Sequence, residues 1–480
     1  MATELVALVK HDCPVCDRLL PALDAAGVRV VSQSTPDETA EQAARLGLHH
    51  VPEVDDDLAL SERLDPDAVP ALVLLEDGER EADRVEGLQR ARILEIAAKA
   101  GAALDLDGLP DWLPGCASRT RDPEVAARLA ARAARREGRL RAKEIELGEL
   151  EDIHEALHAR GVTDGLPVVP PTPERVVRML EGTGRDPQDL VAVLPPYDGR
   201  ATVEKVAINA VMAGCAPEHL PVVLAAVHAA ARPEFALHGL VATTHPAGPA
   251  IVAFGTDVGI NAAGNCLGQG ARANLAIGRA LQLTVRNVGG GRPQVEDRAA
   301  HGQPGKVGLC FAERVEGNPW PAPYDRPTVM LMALEAPRIV VDQLAREPEG
   351  LAASLALALG SVAHPKQRLA WDALLVVGPE HARVFGEAGW SRERLQQRLF
   401  ELTTSPAGEL ARGAGGSPEG IDPKFVSDPA MPVAKFAAPD RILLAYAGGD
   451  AGLFSMVYGS WAAGEIGSAP VTVSVEPYRV

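Results

Sequence analysis

Cys13 and Cys16 stand between a short apolar run, Glu4–Val9, and an amphipathic one, Arg18–Ala26. A C-x-x-C that follows a strand and opens a helix reads, in a cytosolic protein, as a redox-active pair. The surrounding pattern supplies that context. Val28–Ser32 (VRVVS) is a second strand and Thr39–Leu46 a second helix. Asp67-Ala68-Val69-Pro70 leads into ALVLLEDGEREADRVEG, a hairpin turning at Asp77-Gly78. A last helix runs from Leu88 to Ala100, so residues 1–100 read βαβαββα. The alternatives are two idle cysteines or half of a zinc site, and the chain has no second C-x-x-C to complete one.

With these motifs in this order, the stretch resembles the thioredoxin/glutaredoxin family. The resemblance implies a thioredoxin-like domain, with Pro70 as the cis-proline ahead of the hairpin. It also implies that Cys13 is the attacking thiol, at a helix N-terminus whose dipole and free N–H groups favour a thiolate. Cys16 would then resolve the mixed disulfide.

At 480 residues the chain exceeds one ordinary core, and two or three domains are expected. A net charge of −18 argues against a nucleic-acid or anionic-membrane surface, which needs a basic stripe. The basic run Arg132–Arg136 is followed by acids and reads as a solvated helix face. No apolar run is long enough for a transmembrane span, and the start MATELVALVKHD lacks the pattern of a signal peptide. Six cysteines in this length are not a disulfide scaffold. The expected location is the cytoplasm.

Residues 101–165 read as a connector. Cys116 sits in a loop among small residues, where it is either an unpaired thiol or a relay for Cys13 and Cys16. Asp122-Pro123 starts a helix expected to reach Arg160, with breaks near Gly138 or Gly148. Its apolar face is Leu129, Leu140, Ile145, Leu150, Ile153 and Leu157.

The remainder alternates strands and helices, which argues for layered α/β structure in two related halves, 166–325 and 326–480. In the first half, Gly239–Phe254 reads as a strand-like lead-in to a glycine-rich turn carrying Cys266, and a helix follows. Strand, glycine turn and helix aim backbone N–H groups at an anion. A strict dinucleotide or P-loop register is absent; Gly268-Gln269-Gly270 is the G-x-G between strand and helix. In the second half, Thr328–Leu334, Ala373–Val377 and Arg441–Ala447 are strands, with turns at Gly378-Pro379 and Gly448-Gly449. The Gly- and Pro-rich stretch Ser405–Phe436 reads as a lid, an arm or disordered chain.

This part resembles an uncharacterised bacterial family with segments like VEKVAINAVMAGC (Val203–Cys215), HGLVATTHP (His238–Pro246), GQPGK (Gly302–Lys306) and VVGPEHA (Val376–Ala382). The glycine loop and its helix, Gly259–Leu281, belong to the same resemblance. It implies association with a small cysteine or selenocysteine (UGSC-type) partner and carries no reaction with it.

Polar residues in strand-end loops are the candidate site, because α/β sites form there. Arg272 and Lys306, with Gly268, Gly270 and Asn274, would bind a small anionic substrate. His245 or His301 would move protons, and Cys266, taken to lie at a helix start, would be nucleophile or electron acceptor. His238, Thr244, Asn261, Asn265, Gln303, Glu380 and His381 share such loops. The dithiol is the cofactor expected; a metal held by His238, His245, His301 and Cys266 is the alternative, without supporting ligand spacing. The reading is a thiol-dependent redox enzyme, a homo-oligomer, in which the C-x-x-C module exchanges two electrons with the α/β part. Sulfur or selenium transfer and C–S cleavage fit that scheme. The alternatives are a disulfide reductase or scaffold servicing a partner's cysteine, and metal or sulfur trafficking.

Overall fold

The computed structural model describes residues 3–148, 151–369, 371–462 and 467–480. The chain divides into two compact units, Met1–Glu137 and Gly138–Val480.

In the first unit, β1 (Thr3–Val9) leads into α1 (Pro14–Ala25), and β2 (Arg29–Ser32) returns parallel to β1. After α2 (Pro36–Leu46), β3 (Ala71–Glu76) runs antiparallel to β1, β4 (Arg80–Glu86) pairs with β3, and α3 (Arg90–Lys99) closes the set. With the edge strand Glu53–Val54 beside β2, the sheet runs Glu53–Val54, β2, β1, β3, β4. The central strand is buried on both faces. Leu5 and Ala7 pack with Leu72, Ile93 and Ile96, while Val6 and Leu8 pack with Leu20, Val73 and Leu75. This order and these directions are those of a thioredoxin-like fold, and the Val69–Pro70 peptide is cis. α2 is bounded as its sequence requires. Thr35 and Glu38 form a reciprocal capping box, and Gly47 ends the helix in the left-handed conformation.

The connector is not one helix. α4 (Pro123–Arg136) belongs to the first unit, where Arg132 and Arg136 pair with Glu62, and a short helix, Ile153–Ala159, belongs to the second. The basic run is therefore partly a tie to Glu62 rather than only a solvated face. Of the expected apolar face, Leu129, Leu140 and Leu157 are buried and Ile145 is exposed; Leu150 lies outside the described residues.

The second unit has two four-stranded sheets of one pattern. In the first, β5 (Gly248–Phe254) is flanked by parallel β6 (Leu309–Ala312) and antiparallel β7 (Thr328–Leu334). In the second, β9 (Ala373–Val377) is flanked by parallel β10 (Ile442–Tyr446) and antiparallel β11 (Phe454–Gly459). The fourth strands are exchanged. β8 (Arg338–Val341), which follows β7, pairs with β11, and β12 (Val471–Ser474), which follows β11, pairs with β7. The boundary expected at residue 325 therefore falls inside the first repeat, which runs on through β7 to β8, and each repeat completes the other's sheet.

Alternation along the strands builds four layers. Ala250, Val252, Met330 and Met332 from the first sheet meet Leu374, Val376, Ala445 and Tyr458 from the second. The opposite face of the second sheet, with Leu375, Leu444 and Val457, packs under α8 (Pro348–Gly360), α9 (Pro379–Glu387) and α10 (Arg392–Leu402). α5 (Val203–Ala213) packs on α6 (Leu220–Ala230) and α7 (Arg272–Thr284), and α6 and α7 cover the first sheet. α7 lies so close to β6 that a Cβ on Gly278 would come within 2.8 Å of the Gly308 and Leu309 backbone.

Two expectations need correction. Only Gly248–Phe254 of the lead-in is a strand; Leu237–Ala242 is a helix, with Leu237, Leu240 and Val241 buried at helical spacing. Four consecutive apolar or small residues could not separate the two periods. Residues 405–436 are a folded strap. Ser405–Pro406 pairs with Pro432–Val433, and the strap ends in fully buried Lys435 and Phe436. The Lys435 ammonium donates to the carbonyls of Val362, His364 and Gln367 at 2.7, 2.9 and 2.9 Å.

Candidate functional site

Cys13 is the N-cap of α1, in extended conformation, with Pro14 at the first helical position. That geometry turns the first free N–H groups toward its sulfur. The Cys16 N–H donates to Cys13 Sγ at 3.1 Å, and the Cys13 thiol lies 3.5 Å from the Val69 carbonyl, one residue before Pro70. The Cys16 thiol bonded to the Cys13 sulfur, opposed by burial and aided by the Cys116 thiol, lowers the Cys13 pKa to about 6. Burial, then the neighbouring Cys13, pushes the Cys16 thiol well above its ordinary value. The same two causes push Cys116 up to about 11. One thiolate flanked by two proton-bearing thiols is an arrangement for disulfide exchange.

Cys116 reaches this centre through a two-residue ladder. Cys116–Ala117 pairs antiparallel with Ala68–Val69, and Cys116 is the register partner of Val69. Of the three thiols, Cys13 and Cys16 are fully buried and Cys116 is half-buried.

In the second unit, Cys266 packs in the layer between the two sheets and lines a cavity of about 380 Å³ at the carboxyl ends of β9 and β10. Gly378, Gly448, Gly449 and Ser455 share that lining. The glycine loop is knotted by two asparagines. Asn274 accepts from the Asn261 N–H at 2.8 Å and donates to the Asn261 and Cys266 carbonyls at 2.9 and 3.0 Å. The Gly448 N–H donates to the Ala262 carbonyl at 2.8 Å, joining the glycine turns of the two halves. A Cβ on Gly270 would meet Asn261 Nδ2 at 2.8 Å, whereas one on Gly268 would meet the Asn265 carbonyl at an ordinary 3.9 Å.

Cys266 is not at a helix start. α7 begins at Arg272, and Cys266 lies in the turn before it, where burial pushes its thiol up to about 11. Arg272 donates to the Gly214 and Cys215 carbonyls at 2.7 and 3.1 Å, and Lys306 pairs with Asp297 at 2.8 Å. Both cations are engaged by the chain itself.

His245 lies at the opposite end of β9 from Cys266, about 15 Å away along a five-residue strand. Its ring rests on Trp371, two residues before β9, with 5.9 Å between centroids. Its Nε2 is 3.7 Å from Glu335, which follows β7 and pairs with Arg338 at 2.6 Å. His245 Nδ1 is buried with no partner among the described residues, and burial lowers its pKa. His301 is exposed on a segment tied to Thr244 through the Ala300 N–H. The expected grouping of Cys266 with His245 and His301 thus separates into two ends of the unit. Glu335, Arg338 and Trp371 follow no glycine turn, so the sequence alone does not mark them. Of the remaining candidates, His238 is exposed, Glu380 accepts from the Gly452 N–H at 3.1 Å, and buried His381 bonds Ser455 through Nδ1 at 2.8 Å.

Among the described residues, no group of three or more His, Cys, Asp or Glu is arranged to hold a metal ion, and no single helix is long and apolar enough to cross a membrane. No family model and no curated protein matches the chain. Among solved structures, the chain is similar to StoA from Bacillus subtilis, with 15% identity and a TM-score of 0.18 over 20% of this chain and 80% of that one. It is also similar to a secreted Mycobacterium tuberculosis disulfide oxidoreductase homologous to E. coli DsbE, with 14% identity and a TM-score of 0.18 over 20% of this chain and 81% of that one. At these TM-scores nothing of their function transfers, and the chemistry rests on the thiol geometry.

Proposed function

We propose that the unit Met1–Glu137 carries out thiol–disulfide exchange through Cys13 and Cys16, and that the layered α/β unit is linked to the same two-electron chemistry. The observation that carries this reading is the Cys16 N–H bond to Cys13 Sγ at the head of α1, beside the Val69 carbonyl. In the reducing direction, the Cys13 thiolate attacks a disulfide R–S–S–R′, forming Cys13–S–S–R and releasing R′S⁻. Cys16 then gives up its proton and attacks the Cys13 sulfur, expelling RS⁻ and leaving the Cys13–Cys16 disulfide. The target gains two electrons and the dithiol loses two.

The destination we favour is a cysteine or selenocysteine on a partner protein in the cytoplasm. What supports it is that Cys266 holds its proton at neutral pH and that Arg272 and Lys306 are engaged by the chain. A small anionic substrate at the Cys266 cavity, with sulfur or selenium transfer, is the second reading; the thiol lining an open cavity supports it. Trapping tests both. Cys16→Ser/Cys116→Ser, which removes both neighbouring thiols, strands Cys13 in its mixed disulfide, and peptide mass spectrometry names the sulfur bonded to it. A partner-protein sulfur supports the first reading and Cys266 the second. No adduct on Cys13 contradicts exchange altogether.

A further inference from the structure

We propose that Cys116 is a second resolving thiol, so that the Cys13 sulfur alternates between a disulfide with Cys16 and a disulfide with Cys116. The inference rests on the exchange reading above and adds a third thiol to its cycle.

Three features of the fold carry it. The first is position. Val69 is the residue whose carbonyl contacts the Cys13 thiol and also the ladder partner of Cys116, and all three cysteines pack against one apolar cluster.

The second is that the backbone is shaped to hold Cys116 there. A Cβ on Gly87 would approach Gly115 N to 2.8 Å, and one on Gly115 would approach Ala68 Cβ to 2.7 Å and the Val69 carbonyl to 3.0 Å. Only two glycines let the chain pass so close beside the Ala68–Val69 strand. On the other side, Ser118 and Arg119 lock onto Gln33 at the end of β2. Gln33 Nε2 donates to Ser118 Oγ at 3.0 Å, and the Arg119 N–H and guanidinium donate to the Gln33 side chain and carbonyl at 2.9 and 2.7 Å. Ser118 and Gln33 are both fully or almost fully buried. A loop thiol with no role does not require this support.

The third is access. Cys13 and Cys16 are fully buried, and Cys116 alone is half-buried, so it lies toward the side from which an incoming sulfur must arrive. Its protonation follows the cycle. Burial and the facing Cys13 thiolate together hold its proton. When Cys13 enters a mixed disulfide the second cause disappears, and Cys116 becomes easier to ionise at the moment a resolving nucleophile is needed. Cys16 loses the same neighbour but keeps the full cost of its burial.

The steps balance. Cys13–S–S–R forms as before, with release of R′S⁻. Cys116 passes its proton to R′S⁻ and attacks the Cys13 sulfur, which forms Cys13–Cys116 and expels RS⁻. Cys16 then gives up its proton and attacks the Cys13 sulfur, forming Cys13–Cys16; the leaving Cys116 thiolate takes a proton back. The net change is again one disulfide reduced and one dithiol oxidised.

The test uses the full chain and oxidised glutathione, with peptide mapping under non-reducing conditions and loss of glutathione from Cys13 followed in time. Cys16→Ser is expected to form the Cys13–Cys116 disulfide. It should shed glutathione about tenfold faster than the double variant Cys16→Ser/Cys116→Ser. Two results overturn the inference: a stable Cys13–glutathione adduct with free Cys116 in Cys16→Ser, or equal rates in the two variants. If the wild-type chain also forms no Cys13–Cys16 disulfide, the exchange reading falls with it; if that disulfide forms normally, only the role of Cys116 falls. Circular dichroism of each variant separates these outcomes from loss of fold.

Discussion

The Val69 carbonyl lies 3.5 Å from the Cys13 sulfur, while Val69 is held in register with Cys116. One backbone residue therefore touches the reactive thiol on one side and positions a third thiol on the other. The peptide that follows, Val69–Pro70, is cis.

Alkylation of Cys13 should follow the thiolate. With its pKa lowered to about 6, chiefly by the Cys16 thiol, Cys13 should react with iodoacetamide at a full rate near pH 8 and at half that rate near pH 6. The sign is that of a depressed acid. The ionised form predominates above the folded value, and both reactivity and the associated stabilisation of the reduced fold are lost as pH falls through about 6. A midpoint near the ordinary 9.0 would contradict the arrangement.

Gly115→Ala should disturb the centre without removing a thiol. The added Cβ would meet Ala68 Cβ at 2.7 Å and the Val69 carbonyl at 3.0 Å, so the Cys116 strand must move away. The expected result is a rise of about one unit in the Cys13 midpoint as the Cys116 contact weakens. The same alkylation profile reads it, and an unchanged midpoint would show that Cys116 does not help hold the thiolate.

Cys266 should be silent at neutral pH. Burial pushes its thiol up to about 11 and that of Cys215 up to about 12, so mass spectrometry after brief labelling at pH 7.5 should find Cys13 modified and these two intact. Cys266→Ala should leave glutathione exchange within about twofold of wild type, because that exchange is carried by the other thiols. Rapid labelling of Cys266 at pH 7.5 would count against a protonated, buried thiol.

Lys435→Met should destabilise the second unit. The substitution keeps an unbranched chain in a fully buried site but leaves the carbonyls of Val362, His364 and Gln367 without their donor. About 3 kcal/mol is the expected cost, read as a lower urea midpoint. Thiol exchange at Cys13 should be unaffected, since Cys13 belongs to the other unit.

What the sequence disclosed follows the range over which each signal acts. The thiol pair and the Asp77-Gly78 turn are local signals, whereas the cis-proline at Pro70 is expected only through the family resemblance. Thr328–Leu334 and Ala373–Val377 are uniform apolar runs between punctuating residues, and both are strands at those bounds. Leu237–Ala242 was misread because its apolar residues sit too close to those of β5 for two periods to be told apart. The exchange of β8 and β12 was illegible. RIVV at Arg338 pairs with Phe454–Val457, more than a hundred residues later, and no periodicity records a partner at that range. Arg272 illustrates the same limit for charge. A cation beside a glycine loop looks free until the fold brings the carbonyls of Gly214 and Cys215 to it. For Cys116 the sequence leaves a relay to Cys13 and an unpaired thiol both open, because the ladder with Val69 that sets its place spans nearly fifty residues of chain.

The central claim is that Cys13 and Cys16 form a reversible disulfide, and equilibration of the full-length protein in glutathione redox buffers tests it most directly. Non-reducing peptide mapping across the buffer series should show Cys13–Cys16 appearing and disappearing as a two-electron couple, with Cys215, Cys266 and Cys310 reduced throughout. Cys13 and Cys16 remaining as free thiols in the most oxidising buffer, or oxidising only to separate glutathione adducts, would contradict it.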